Sequence, residues 1–293
     1  MPSVSDLLWG IVYPALAAGC IWAFIGGAWF KQDARWVSSL AVATALMIAY
    51  VGLLQGPPLE PVGALEWLFW IAAAGALFSP LETLGPRAAV LTRSLFVGGL
   101  LVLTLHRQYL NHWSGPDRES VFPDVAICLA IGLCGWYAVE RVAKRSPGSA
   151  APLSLWAMAA ALALCSLWSS TGVYAQLSGA VAAALGAAVV LAWIRPGTWF
   201  AGGGAGLAFA LLFAIGIAVH YYAQLDTTDA LLLASAPFAG LLADLPPLRK
   251  LTGVRSTALR LALVLIPLAI ATQHCYADYA AQDADPYGSP SSY

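Results

Sequence analysis

Apolar stretches long enough to cross a bilayer recur along nearly the whole chain, and this limits the fold more than any other feature. About 30 Å of hydrocarbon needs roughly 17–25 helical residues. Segments of that kind lie at 6–30, 36–54, 62–79, 88–106, 121–141, 152–170, 172–194, 198–219, 228–244 and 256–274. Inside lipid the backbone must satisfy its own hydrogen bonds, which makes such segments helices. The chain is 60% hydrophobic and 10% charged, whereas a soluble domain carries about 25% charged residues. The reading is an all-α polytopic integral membrane protein of about ten transmembrane helices. The hardest boundary falls inside 152–194, where WSSTG at 168–172 supplies the small polar residues that turn the chain.

Charge tests the count independently, because short cytoplasmic loops collect Lys and Arg. Loops after odd-numbered segments hold Lys31, Arg35, Arg87, Arg93, Arg141, Lys144, Arg145, Arg195, Arg249, Lys250, Arg255 and Arg260; the other side holds Arg107 and Arg118. A missed or invented crossing would scramble this alternation. It predicts a multi-pass protein of the cytoplasmic (inner) membrane with both termini extracytoplasmic. The start lacks the basic region of a secretory signal, so the first segment is read as retained rather than cleaved at AAGC, 17–20.

A second pattern lies along the chain. PLETLGPRAAVLTRSLFVGGLLVLTLH at 80–106 returns as PLRKLTGVRSTALRLALVLIPLAIATQH at 247–274, matching Pro80 with Pro247, Gly85 with Gly253, Arg87 with Arg255 and His106 with His274. The match extends backwards, through segments that begin near Trp36 and Trp199, to VYPAL at 12–16 and VYAQL at 173–177. This predicts a parallel internal repeat, helices 1–4 and 7–10, related by an axis along the membrane normal, with helices 5–6 as connector. The expected divisions are 1–106 for the first four-helix repeat, 107–170 for an outer loop plus the connecting pair, and 171–274 for the second repeat. Residues 275–293, rich in Tyr, Ser, Gly and acids, form a disordered extracytoplasmic tail.

The candidate chemistry is sparse. No charged residue or His falls at the middle of a segment, where proton relays and ion-coupled pathways place them. Arg93 and Arg260, with Arg87 and Arg255, form candidate anion or lipid-phosphate sites, beside the reading in which such side chains snorkel to the headgroups. Gln176 and Ser178 are candidates for a cavity lining, and Glu66 and Asp229 for polar groups one turn inside the outer end. His106, His112, His220 and His274 all fall on the outer side and with those acids make a candidate metal site, though no ligand spacing such as H-E-x-x-H supports it. Pro14 and Pro267 predict kinks, and GGGAG at 202–206 predicts close packing through Gly202 and Gly206. The five cysteines show no C-x-x-C and are read as small apolar residues rather than a redox pair. G-x-S-x-G and phosphate-cradling motifs are absent, no cofactor is implied, and the scattered basic residues give no nucleic-acid patch.

Two functions follow from this. One is a carrier or flippase for a small neutral or amphipathic solute, with its cavity on the axis between the repeats. The other is a non-catalytic subunit or scaffold of a membrane complex, reached through the 275–293 tail. A membrane-embedded enzyme using the outer His and acidic residues ranks third. Contact with the lipid bilayer is common to all three.

Overall fold

The computed structural model describes residues 4–284 except 26–35, 111–117, 147, 170, 195–199, 202, 247, 249–250 and 252. Every described element is helical. The helices are α1 (4–25), α2 (Trp36–Leu54), α3 (Ala64–Phe78), α4 (Pro86–Leu110), α5 (Arg118–Arg145), α6 (Ala150–Trp168), α7 (Gly172–Ile194), α8 (Gly204–Tyr222), α9 (Thr227–Leu241) and α10 (Val254–Ala284). Each of the ten expected segments is one of these helices.

Nine of them are long and apolar enough to span a bilayer. The exception is α9, whose 15 residues reach only about 22 Å at 1.5 Å per residue. A 3₁₀ turn, Leu242–Asp244, completes its course. At the other extreme α10 runs 31 residues, ten beyond the expected end at His274. Residues 275–284, expected as the start of a disordered tail, are therefore helical; their Ala-rich sequence favours that state, and Trp168 of α6 packs on Tyr276 with ring centroids 5.4 Å apart. The rest of the tail lies outside the described residues.

The architecture is a ring around one central helix. α8 has no charged residue and 83% of its apolar window is buried; a helix apolar on every face belongs inside a bundle. It touches α2, α3, α4, α5, α9, α6 and α7, which close around it in that order. α1 lies outside in the groove between α2 and α7, and α10 in the groove between α6 and α9. Both are only 22% buried over their apolar windows.

Interhelical contact in lipid depends on close packing rather than hydrophobic exclusion, and the α5–α8 seam shows how the sequence provides it. Gly132 and Gly135 of α5 face Phe213 and Phe209, and Gly206 of α8 faces Trp136; a methyl group at any of the three would collide with the facing ring. α1 contains two π-helical turns, Leu8–Val12 and Ile21–Ile25. The first directly precedes Pro14, which has no N–H to offer the carbonyl of Gly10, so the predicted irregularity takes the form of widened turns. At Pro267 α10 continues as a helix.

The packing does not display the repeat. Equivalent units would give α2 and α8 similar surroundings, but α8 has seven neighbours in the ring whereas α2 packs on α1, α3, α7 and α8. What the matched positions share is a glycine of positive φ before a helix: the 3₁₀ segment Ser79–Leu84 leads through Gly85 (φ 141°) into α4, and Gly253 (φ 61°) precedes α10. Positive φ at both positions accounts for the matched glycines.

Candidate functional site

At the end of the bundle that carries most of the basic residues, hereafter the basic end, the Gly-rich stretch meets the seam's polar groups. Ser39 and Ser79 share a hydrogen bond of 2.6 Å, and their hydroxyls lie where a side chain at Gly203 would be. Gly204 is pressed on Ser38 in the same way. The Gly203 N–H, at the start of α8, donates to Glu140 Oε1 at 3.1 Å. This places a carboxylate at the positive end of the helix dipole. GGGAG is thus a packing motif through Gly203, Gly204 and Gly206; Gly202 lies outside the described residues.

Glu140 is 1% exposed and lies 3.9 Å from Arg93 and 3.6 Å from Lys144. Arg93 donates from Nη2 to Glu82 at 2.6 Å, and its guanidinium stands 5.8 Å from the centroid of the Trp136 ring. Among the described residues, two carboxylates and two cations balance in this cluster. Because it links the 3₁₀ turn, α4, α5 and the start of α8, it locks four elements together.

A second cluster, beside it, is not neutral. Asp244 accepts from Arg145 at 2.9 Å and Arg260 at 2.5 Å, with Arg141 at 3.6 Å. Burial opposes its ionisation, but the hydrogen bonds from Arg260 and Arg145 prevail and hold the carboxyl below the usual aspartate range. Arg260 is buried and also donates to the Gly240 carbonyl at 3.0 Å, capping the negative end of α9. It therefore turns inward to protein partners, and Arg93 does the same through Glu82. Arg87 and Arg255 are exposed and stand outside both clusters.

At the opposite end the sequence candidates separate. The Glu66 carboxylate caps its own helix, accepting from the backbone of Val62 and Gly63. Asp229 is 2% exposed and accepts from Cys275 Sγ at 3.4 Å, with His274 Nδ1 at 3.2 Å. Cys275 also lies near Cys165, a proximity that the spacing of the cysteines concealed. His220 Nδ1 pairs with the Leu225 carbonyl at 2.7 Å, away from His274. The side chain of His106 and the whole of His112 lie outside the described residues. Among the described residues no three His, Cys, Asp or Glu are placed to hold a metal ion. Gln176 packs beside Gly10 of α1, and Ser178 is fully buried, its hydroxyl without a partner among the described residues.

Among the described residues two cavities reach the depth of the membrane. One of about 390 Å³, between α3 and α4, is lined by Ile71, Phe96, Gly99 and Leu103. The other has polar residues at its mouth and measures about 400 Å³ between α5, α6, α8 and α9. Asp124, His220 and Thr227 stand at its mouth, at the end opposite the basic one, and Ile131, Met158, Leu212 and Phe213 reach the mid-height of their helices. Ile127 and Leu231, 55% and 50% exposed, flank it on α5 and α9, so the cleft also opens sideways between those helices. Towards the basic end it is stopped by Phe213 stacked on Phe209, centroids 5.8 Å apart, and beyond them by Trp136 and the Glu140 cluster. The expected position, between the two four-helix units, is instead filled by α8.

Sequence reasoning missed Glu82, Glu140 and Asp244. The available signal was that each is an acid on a side otherwise crowded with arginine. Comparison with family models, curated proteins and solved structures found no match.

Proposed function

We propose that the protein moves a small neutral or amphipathic solute across the membrane, as a carrier or flippase, through the cleft between α5, α6, α8 and α9. The observation that carries this reading is the depth of the cleft: it runs from Asp124 and His220 to Phe213, half the height of α8. Its walls suit an apolar body, its mouth a polar head, and its lateral opening admits a molecule that partitions from the lipid. Phe209, Phe213 and Trp136 act as the barrier on the far side. The ion cluster of Glu82, Arg93, Glu140 and Lys144 holds that barrier shut, and rearranging it would open the opposite path, as alternating access requires.

Gly216 offers a test. A Cβ there meets no atom nearer than Leu162 Cδ1 at 4.0 Å, and Gly216 lines the cleft, so Gly216→Phe puts a ring into it. In liposomes holding a fluorescent phosphatidylcholine, the wild type accelerates exchange between leaflets, measured by dithionite quenching. Gly216→Phe slows it by about 10-fold or more, a barrier change of roughly 1.4 kcal/mol, at unchanged Tm. Exchange no faster than in protein-free vesicles, or indifferent to the substitution, refutes the proposal and favours the scaffold reading.

A further inference from the structure

A larger cavity, about 840 Å³, opens at the basic end among the α5–α6 turn, the last turn of α7, the turn after α9 and the first turns of α10. We propose that it binds a phosphomonoester anion, the group shared by free organic phosphates and by phosphatidic-acid headgroups. The inference is independent of the transport reading.

Charge balance is the first ground. Arg141, Arg145 and Arg260 all address the single carboxylate of Asp244. Among the described residues three guanidinium groups share one carboxylate, an excess of two positive charges, and two of the three, Arg145 and Arg260, line the cavity. A phosphomonoester near pH 7 carries about −1.5 to −2, which balances that excess; a monoanionic carboxylate or phosphodiester does not.

Donors are the second. Arg145 and Arg260 line the cavity, and so do Ser149, Ser256 and Thr257. Arg260 is 4% exposed, and its Nε–H has no acceptor among the described residues. Two helix starts also end on the cavity: α6 follows Ser149, which makes no side-chain cap, and α10 follows Gly253. The N–H groups of a helix's first turn have no intrahelical partner, and the positive end of the dipole there favours phosphate. Trp193, Leu153 and Leu261 complete the wall with apolar surface, as a headgroup pocket at an interface would need.

The neighbouring Glu140 cluster provides the contrast. It too is built from acidic and basic side chains, but among the described residues its charges balance, and the Gly203 N–H closes it.

The test uses the full chain in detergent and in nanodiscs, with thermal unfolding as the readout. Inorganic phosphate and glycerol 3-phosphate, against chloride at equal ionic strength, form the soluble arm. Phosphatidic acid, against phosphatidylcholine and phosphatidylglycerol, forms the lipid arm. A rise in Tm in either arm supports the site, and the arm that responds identifies the source. Arg145→Gln, at a half-exposed position, weakens apparent affinity by about 10-fold, the scale of one charge-assisted hydrogen bond. Asp244→Asn has the opposite sign: it lowers Tm without ligand, and phosphate or phosphatidic acid restores more Tm than it adds to the wild type. No response in either arm overturns the proposal, and so does a response that Arg145→Gln leaves unchanged.

Discussion

Gly206 and Trp136 show how single positions set the close approach of α5 to α8. The indole occupies the space of a side chain at residue 206, and Phe209 and Phe213 reciprocate against Gly135 and Gly132. Interdigitation of this kind leaves little room to relax, and overpacking costs typically 1–3 kcal/mol. Gly206→Val is expected to destabilise by that amount, seen as a lower Tm in detergent. A smaller partner, Trp136→Ala, should recover part of the loss in the double variant, which simple loss of helix propensity would not predict. The same scale explains the two arginines near the inner ends of their helices. Arg93 and Arg260 sit in the first turns of α4 and α10, and each folds back onto an acid of the preceding turn, Glu82 and Asp244.

Among the elements α9 is the one whose existence depends most on its ends. It is short, contains Pro237, and is fixed by Asp226 at its start and Arg260 at its finish. The Asp226 carboxylate accepts from the Thr228 N–H at 2.6 Å, and that backbone hydrogen bond, foremost, lowers its pKa. Asp226→Ala is expected to lower stability by about 1 kcal/mol, the usual effect of removing an N-cap, measured by chemical unfolding near neutral pH. Because the folded pKa is depressed, the contribution is present above the unfolded value of about 4 and fades as pH falls through the folded one. The gap between wild type and Asp226→Ala should therefore close on acidification; a constant gap would argue against the cap. α10 depends on its ends far less, since it continues past the bundle with Cys275 still buried against Asp229.

For the whole molecule, the alternation of helix direction agrees with the contacts at both ends. Ser39, Ser79, Glu82, Arg93, Glu140 and Gly203 converge at one, and at the other Tyr222 donates to the Thr104 carbonyl at 3.0 Å. The basic end collects arginine, which predicts that it faces the cytoplasm. A C-terminal fusion to an enzyme active only outside the cytoplasm should therefore be active, and its inactivity would reverse the orientation. The deep cleft and the basic cavity open at opposite ends, with aromatic rings and the Glu140 cluster between them. This separation lets the two proposals be tested independently.

By itself the sequence determined the class of the protein, its ten helices and their alternating course. Those depend on segment length and apolarity, which are local properties that lipid enforces. It also marked GGGAG at 202–206, Arg93, Arg260 and Asp229 as unusual, but not what they touch. Only the tertiary structure decided that α8 is the centre, that Glu140 meets the start of α8, that Asp244 is shared by three arginines and that Cys165 lies beside Cys275. Each of these joins residues from different helices, and nearly uniform apolar helices carry little periodic signal about which faces meet. The expected repeat shows the same limit. Its matched glycines, Gly85 and Gly253, share a local feature, positive φ before a helix, whereas the neighbours of α2 and α8 depend on how the whole bundle packs.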